Sequence, residues 1–201
     1  MARIKLTKNE LKTQRDALRR FQRYLPTLQL KKQQLQLEVR RVEGFIAEKL
    51  AQERETRARL QDWIRLFAAP FPFEEHLRVR ERRLGVGNVA GVDIPVLESL
   101  TVEASPPDLF DTDPWVDDGI AVLEELLRLV IERNVLETQL RLLAEELRIT
   151  NQRVNLFEKV KIPECRESIR VIRIFLGDQQ TAAVARAKIA KQKMLARELT
   201  A

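Results

Sequence analysis

The sequence holds one cysteine, Cys165, and one histidine, His76, among its 201 residues. A lone cysteine excludes an internal disulfide and fits a reducing compartment. Cys165 and His76 lie far apart, so neither a zinc-ligand spacing nor a nucleophile–base signature is present. Cys165 reads as a small apolar seam residue and His76 as a surface residue. Glycines number six and aromatics are 5% of the chain, too few bulky rings for a thick globular core. Gly85-Val86-Gly87 lacks the Lys-Ser/Thr ending of a phosphate loop and opens no helix. No segment approaches the roughly 20 apolar residues of a membrane span. Met1 to Glu10 is polar and periodic where a secretory signal would be hydrophobic. Paired acids such as Glu124-Glu125 and Glu145-Glu146 fall on solvated helix faces with no cleft to raise a carboxyl pKa. These absences predict no catalytic, cofactor-binding or metal-binding residue, and a cytoplasmic protein unless partners hold it at a membrane.

What is present is charge and heptad spacing. Charged residues make up 33% of the chain. From about Thr7 to Ala69, apolar residues recur at Leu11, Leu18, Phe21, Leu25, Leu28, Leu35, Val39, Val42 and Ile46, the spacing of a coiled-coil seam. A polar stretch, Gln52 to Arg59, interrupts the seam before Leu60, Ile64 and Phe67 resume it. Thr7 with Glu10 has the form of a capping box. Pro26 should kink the helix, and Pro70 and Pro72 end it. A second seam runs through Val122, Leu126, Leu129, Leu136, Leu140, Leu143, Leu147, Val154 and Phe157, with Arg133 and Thr150 as polar members. Asp113 before Pro114 supplies a cap and a first-turn proline. After Pro163 the phase shifts to Ile162, Cys165, Ile169, Ile172 and Leu176, and Gly177-Asp178 is a weak point.

Between the helices, Leu77 to Arg83 and Val92 to Val96 alternate, with Gly85, Gly87, Asn88 and Gly91 between them. This predicts a short β-hairpin, with Asn88, Gly91 and Pro95 at its turn and Pro95 tolerated on an edge. Two strands are marginal alone, so the hairpin should lean on the helices or on a partner. Residues 105–114 read as a loop. The fold class is therefore mainly α: a long antiparallel two-helix coiled coil of the N- and C-terminal helices, with a β-hairpin and loop in the middle. The segments are 1–69, 70–115 and 116–201, expected to form one structural unit. Pairing Ala69 with Val116 gives a register in which Pro26 faces about Lys159 and Pro163 about Gln22, implying a shared kink. It also leaves about Ala182 to Ala201 overhanging, to be ordered inside something else.

The net charge is +6, and its distribution is uneven. Residues 1–69 carry 17 Lys/Arg against 8 Asp/Glu, and residues 147–201 carry 12 against 5. Residues 70–116 carry 4 against 9, and residues 117–146 carry 3 against 8. Folding the arms together would make a basic tip and an acidic base, suited to two different partners. The tip residues are Lys8, Lys12, Arg15, Arg19, Arg20, Arg23, Lys188 and Lys191, joined by Arg3, Lys5, Lys193 and Arg197. No aromatic stacking platform or base-reading motif accompanies them, which argues against nucleic acid. A free-standing coiled-coil scaffold remains the alternative.

The segment Arg148 to Pro163 (Arg-Ile-Thr-Asn-Gln-Arg-Val-Asn-Leu-Phe-Glu-Lys-Val-Lys-Ile-Pro) resembles the signature of the D subunit of the V-type ATPases and ATP synthases. Its matching positions are Arg153, Val154, Asn155, Glu158, Ile162 and Pro163. Ile4 to Lys12 and Asn88 to Pro95 are similar to two further segments of that family, in the same order. The run after Leu176 departs from the family pattern. The resemblance implies a rotor shaft that catalyses nothing. It implies a head of alternating catalytic A and non-catalytic B subunits as partner at one end. At the other end it implies the small F subunit and a C/d-type subunit above the membrane rotor ring. It implies a peripheral position on the cytoplasmic side, without membrane insertion or nucleic acid.

Overall fold

A computed structural model describes residues 5–68, 71–108 and 112–198, apart from the side chains of 195–198. Arg3, Ile4, Ala69, Pro70, the side chain of Arg197 and residues 199–201 lie outside it. The element order is α1 (Lys8–Leu60), a 3-10 turn (Ile64–Ala68), α2 (Phe73–His76), β1 (Leu77–Val89), β2 (Val92–Ala104), α3 (Val116–Asn155), a π-helical segment (Leu156–Lys161) and α4 (Ile162–Glu198).

α1 starts where the cap predicts: Glu10 donates its backbone N–H to Thr7 Oγ1 at 3.2 Å. The Glu10 carboxylate instead accepts from the Gln14 amide at 2.9 Å, so only half of the capping box forms. The helix runs through Pro26 unbroken for 53 residues. It ends at Leu60, short of Ala69, because the next bonds tighten to i→i+3. Trp63 N–H reaches Leu60 O at 3.1 Å, Leu66 N–H reaches Trp63 O at 2.9 Å, and the Trp63 indole donates to Arg59 O at 3.1 Å. α3 opens with Val116 N–H on the Asp113 carbonyl at 3.0 Å. The Asp113 carboxylate faces the Trp115 indole at 3.4 Å, so the cap is a backbone one.

The chain divides into two compact units, Lys31–Ile149 and Met1–Leu30 with Thr150–Ala201. In Lys31–Ile149, α1 and α3 run antiparallel. Lys31 meets Glu146 at 2.7 Å, Lys49 meets Glu132 at 2.6 Å and Arg59 meets Glu125 at 3.0 Å. The hairpin packs on this pair, with Ile94 joining Leu35, Val42 and Leu143 in one buried cluster. Val89, Ala90 and Val92 at the hairpin tip pack against the same cluster. Both strands are 13 residues long, more than the alternation indicates. Gly85, Gly87 and Asn88 therefore belong to β1, not to the turn. The turn is Ala90-Gly91, with φ of 51° and 78°, the two left-handed residues a two-residue hairpin loop needs. Pro95 lies inside β2 opposite Val86; a two-stranded sheet has only edges, which is why a proline fits there.

In the other unit the buried residues are Thr150, Val154, Ile162, Cys165, Ser168, Ile169 and Ile172. Leu11, Leu18, Phe21 and Leu25 of α1 are half-buried. Phe21 and Phe157 stand 4.9 Å apart. That contact moves the pairing about one heptad from the predicted register, so Pro26 and Pro163 do not stand at one level. The irregularity lies in one strand only. Steps along the seam from Leu143 alternate between four and three residues as far as Phe157. The next step, to Ile162, is five, and then the pattern resumes at Cys165, Ile169 and Ile172. The π segment spans that step, with Ile162 N–H donating to Phe157 O. A π turn holds one residue more than an α turn, so it absorbs the surplus residue and keeps both runs on one face. α4 then continues through Gly177, with Thr181 Oγ1 bonded to the Gly177 carbonyl at 3.1 Å, so no break occurs at the predicted weak point.

Candidate functional site

The eight predicted tip residues lie in the unit Met1–Leu30 with Thr150–Ala201. Lys8, Lys12, Arg15, Arg19, Arg20 and Arg23 project from the first four turns or so of α1, and Lys188 and Lys191 from the last part of α4. All eight are exposed. None forms an ion pair with another described residue, so their charge is directed outward, where solvent or a partner meets it. Every side chain from Gly177 to Met194 is also exposed, including Val184, Ile189 and Met194 at 56%, 53% and 65%. A helix that leaves three large apolar side chains uncovered has surface available to a partner. The charge contrast persists between the two units. This unit carries 19 Lys/Arg against 7 Asp/Glu, a balance of +12; Lys31–Ile149 carries 17 against 23, a balance of −6.

The signature residues divide by role. Val154 and Ile162 are buried at 4% and 7% and flank the π segment on the packed face. Asn155 is half-buried, while Arg153, Glu158 and Pro163 face out. Cys165 is buried beside them. Its thiol is pushed above the usual range, first by burial and then by the Glu164 carboxylate. A thiol held protonated is a poor nucleophile, in keeping with a seam residue. His76 is half-buried, stacks on Phe71 at 5.0 Å and has Nδ1 3.2 Å from Ser105 O. Among the described residues no three His, Cys, Asp or Glu side chains gather to hold a metal ion. No described helix is long and apolar enough to cross a membrane.

At the hairpin turn, Asn88 Oδ1 accepts the Gly91 N–H at 3.1 Å and Asn88 Nδ2 donates to Asp93 at 2.7 Å. Asn88 therefore closes the turn from its first strand. The Pro95 carbonyl accepts from Gln139 Nε2 of α3 at 2.6 Å, which ties the hairpin to the helix pair.

Two features escape sequence reasoning. Glu53 and Thr56 are each only 1% exposed. Glu53 accepts from Arg133 Nε at 2.6 Å, with Arg57 at 3.4 Å; Thr56 Oγ1 donates to Glu125 at 3.1 Å. Arg133 also bonds Glu137 at 2.6 Å. The Glu53 bond, and then that to Glu137, raise the Arg133 guanidinium above its ordinary range, so it stays charged. The polar stretch is thus a buried layer rather than a gap. Its signal was available: Glu53 stands seven residues after Ile46, and Thr56 fourteen after Val42. The second feature is aromatic. Trp63, Phe67, Phe73 and Trp115 pack ring against ring, with centroids within 6.0 Å along a chain of contacts, and Phe71 joins through Phe73 at 4.8 Å. Composition gives how few rings there are, not that five of eleven gather beside the chain reversal.

Comparison with known proteins agrees with this geometry. The profile of the ATP synthase D subunit family matches residues 10–192. The V-type ATP synthase D subunit of Borreliella burgdorferi is 47% identical over 195 residues, covering 97% of this chain and 96% of that protein. The proteins of the same name from Chlamydia muridarum and Chlamydia pneumoniae are 37% and 34% identical. They cover 96% and 95% of this chain, and are themselves covered over 97% and 93%. Matches over nearly the whole of this chain show the family: the chain belongs to the ATP synthase D subunit family.

Proposed function

We propose that the chain is the central-stalk subunit of a V-type ATPase or ATP synthase, a non-catalytic shaft that couples ATP turnover to proton or sodium transport by rotation. The observation that carries this reading is the charge contrast between +12 and −6, together with an uncovered helix in the basic unit. The basic unit enters the head of alternating catalytic A and non-catalytic B subunits. The acidic unit, with the hairpin, meets the F subunit of the stalk and the C/d-type subunit above the membrane rotor ring. The assembly lies on the cytoplasmic side of the membrane and the chain binds no cofactor and no nucleic acid.

Two different surfaces are what such a shaft needs. Exposed Arg15, Arg19, Arg20 and Arg23 would run along acidic loops of the head, whose position changes as the shaft turns. The seam supplies the stiffness, because apolar side chains from two helices interlock along it. Affinity purification of the chain from its native membrane fraction tests the assignment. Two head subunits of about equal amount should accompany it, and raised salt should release head before stalk partners because the basic contact is screened. Recovery of the chain with neither head subunit contradicts the reading and leaves a free-standing scaffold. Release that tracks added nucleic acid points to a nucleic-acid binder.

A further inference from the structure

The seam of Lys31–Ile149 repeats so evenly that its register needs a separate cause. On α1 the seam positions are Leu35, Val39, Val42, Ile46, Lys49, Glu53, Thr56 and Leu60. On α3 they are Val122, Leu126, Leu129, Arg133, Leu136, Leu140, Leu143 and Leu147. Sliding one helix by seven residues, about 10 Å of rise, sets apolar residues against apolar residues except at the polar members Lys49, Glu53, Thr56 and Arg133. Packing within the two-helix seam alone therefore distinguishes the registers poorly.

The charges distinguish them. Glu53, 1% exposed, and Arg133, 21% exposed, meet at 2.6 Å. Slid one way, Glu53 faces Leu126 and Arg133 faces Ile46. Slid the other way, Glu53 faces Leu140 and Arg133 faces Leu60. Either slip breaks the 2.6 Å pair and sets both groups among apolar seam residues, leaving Glu53 only Arg57 at 3.4 Å and Arg133 only Glu137 at 2.6 Å, which is costly because the buried Glu53 carboxylate loses its shorter partner. The rim pairs discriminate less. Lys49, bonded to Glu132, finds Glu125 in the first slip, and its half-exposed charge remains hydrated in the second. Thr56 and Glu125 support the same layer, since their 3.1 Å bond is also lost on sliding.

We infer that the Glu53–Arg133 layer is a register key: it selects one axial pairing of α1 and α3 instead of adding stability. The inference concerns this chain alone and stands whether or not the chain turns inside a head. Single buried polar residues in coiled coils fix register in this way at some cost in stability.

Spin labels at Arg40→Cys and Arg128→Cys, two exposed positions offset along the pair, report the register in a Cys165→Ala background of the full chain. The parent protein should give one distance by pulsed electron resonance. Replacing the layer with Glu53→Leu and Arg133→Leu together should add a second distance displaced by about 10 Å, with an equal or higher melting temperature. The swap Glu53→Arg with Arg133→Glu should return the single distance. A single, unchanged distance in the double-leucine variant overturns the inference. So does loss of helix in that variant by circular dichroism, because the layer would then be a source of stability and not of register.

Discussion

The π segment makes a deletion prediction that few helices would allow. Removing Lys159, an exposed residue, shortens the step from Phe157 to Ile162 from five to four. That is the step an α-helical seam wants, so Ile162, Cys165, Ile169 and Ile172 stay on the packed face. The expected cost is within about 1 kcal/mol, the range of a surface change. Removing Arg166, equally exposed, is different. If the π turn persists, Ile169 and Ile172, now 8% and 0% exposed, rotate off the seam by about 100°. If the π turn converts to α instead, they return but Ile162 and Cys165 leave. Either way two buried side chains are lost, at about 1.5–3 kcal/mol each for a fully buried aliphatic one, or roughly 3–6 kcal/mol together. Urea unfolding followed at 222 nm resolves the difference, since slopes of about 1–3 kcal/mol per molar convert it to a shift of roughly 1 M or more. Equal losses from the two deletions, or a larger loss from removing Lys159, would refute the account of the π turn.

Other outcomes follow from single contacts. Leu143→Ala, at a fully buried site in the cluster with Leu35, Val42 and Ile94, should cost about 3–5 kcal/mol in the same urea assay. Gln139→Ala removes the bond to the Pro95 carbonyl and should cost about 1–3 kcal/mol. Hydrogen exchange should rise in β2 and leave α4 unchanged; uniform exchange would show that the bond does not hold the hairpin. Gly91→Ala forces a side chain into φ of 78° and should lower the unfolding free energy by about 1 kcal/mol. Cys165, buried and with its thiol pushed upward by burial, should react with a disulfide reagent at pH 8 at least roughly tenfold slower in native protein than in urea. The sign is fixed by the direction of the shift: a raised thiol pKa lowers the thiolate fraction at any pH below it.

Heptad spacing made the two long helices, their antiparallel pairing in Lys31–Ile149 and the presence of a hairpin legible. Spacing records which face is apolar, and in two-helix pairing that face is nearly the whole structure. Register was less legible, because a heptad repeat is its own translation and only its polar members, Lys49, Glu53, Thr56 and Arg133, break it. Proline positions misled for a related reason. Pro26 is accommodated within α1, whereas the surplus residue before Pro163 shows only when seam steps are counted through it. The hairpin ran long because Gly85 and Gly87 signal a turn locally, yet on the sheet they lie beneath neighbours from β2. A Cβ on Gly87 would stand 2.8 Å from Val96 Cγ2. The basic residues of the candidate surface were all visible in sequence, since exposed charge needs no partner to define it. Glu53 was not, since a polar residue in a seam reads as an interruption until its partner across the seam is known, and Gln139 was not, since its partner is the Pro95 carbonyl of the hairpin.

Rotation observed directly tests the central-stalk assignment best. Val86, on β1 and 81% exposed, offers an attachment point as Val86→Cys in the Cys165→Ala background, with the head fixed to glass through its A and B subunits. Adding ATP to the assembled complex should turn a bead at this position steadily in one direction, and withdrawing ATP should stop it. A complex that hydrolyses ATP while the bead only diffuses about a fixed angle would contradict the shaft.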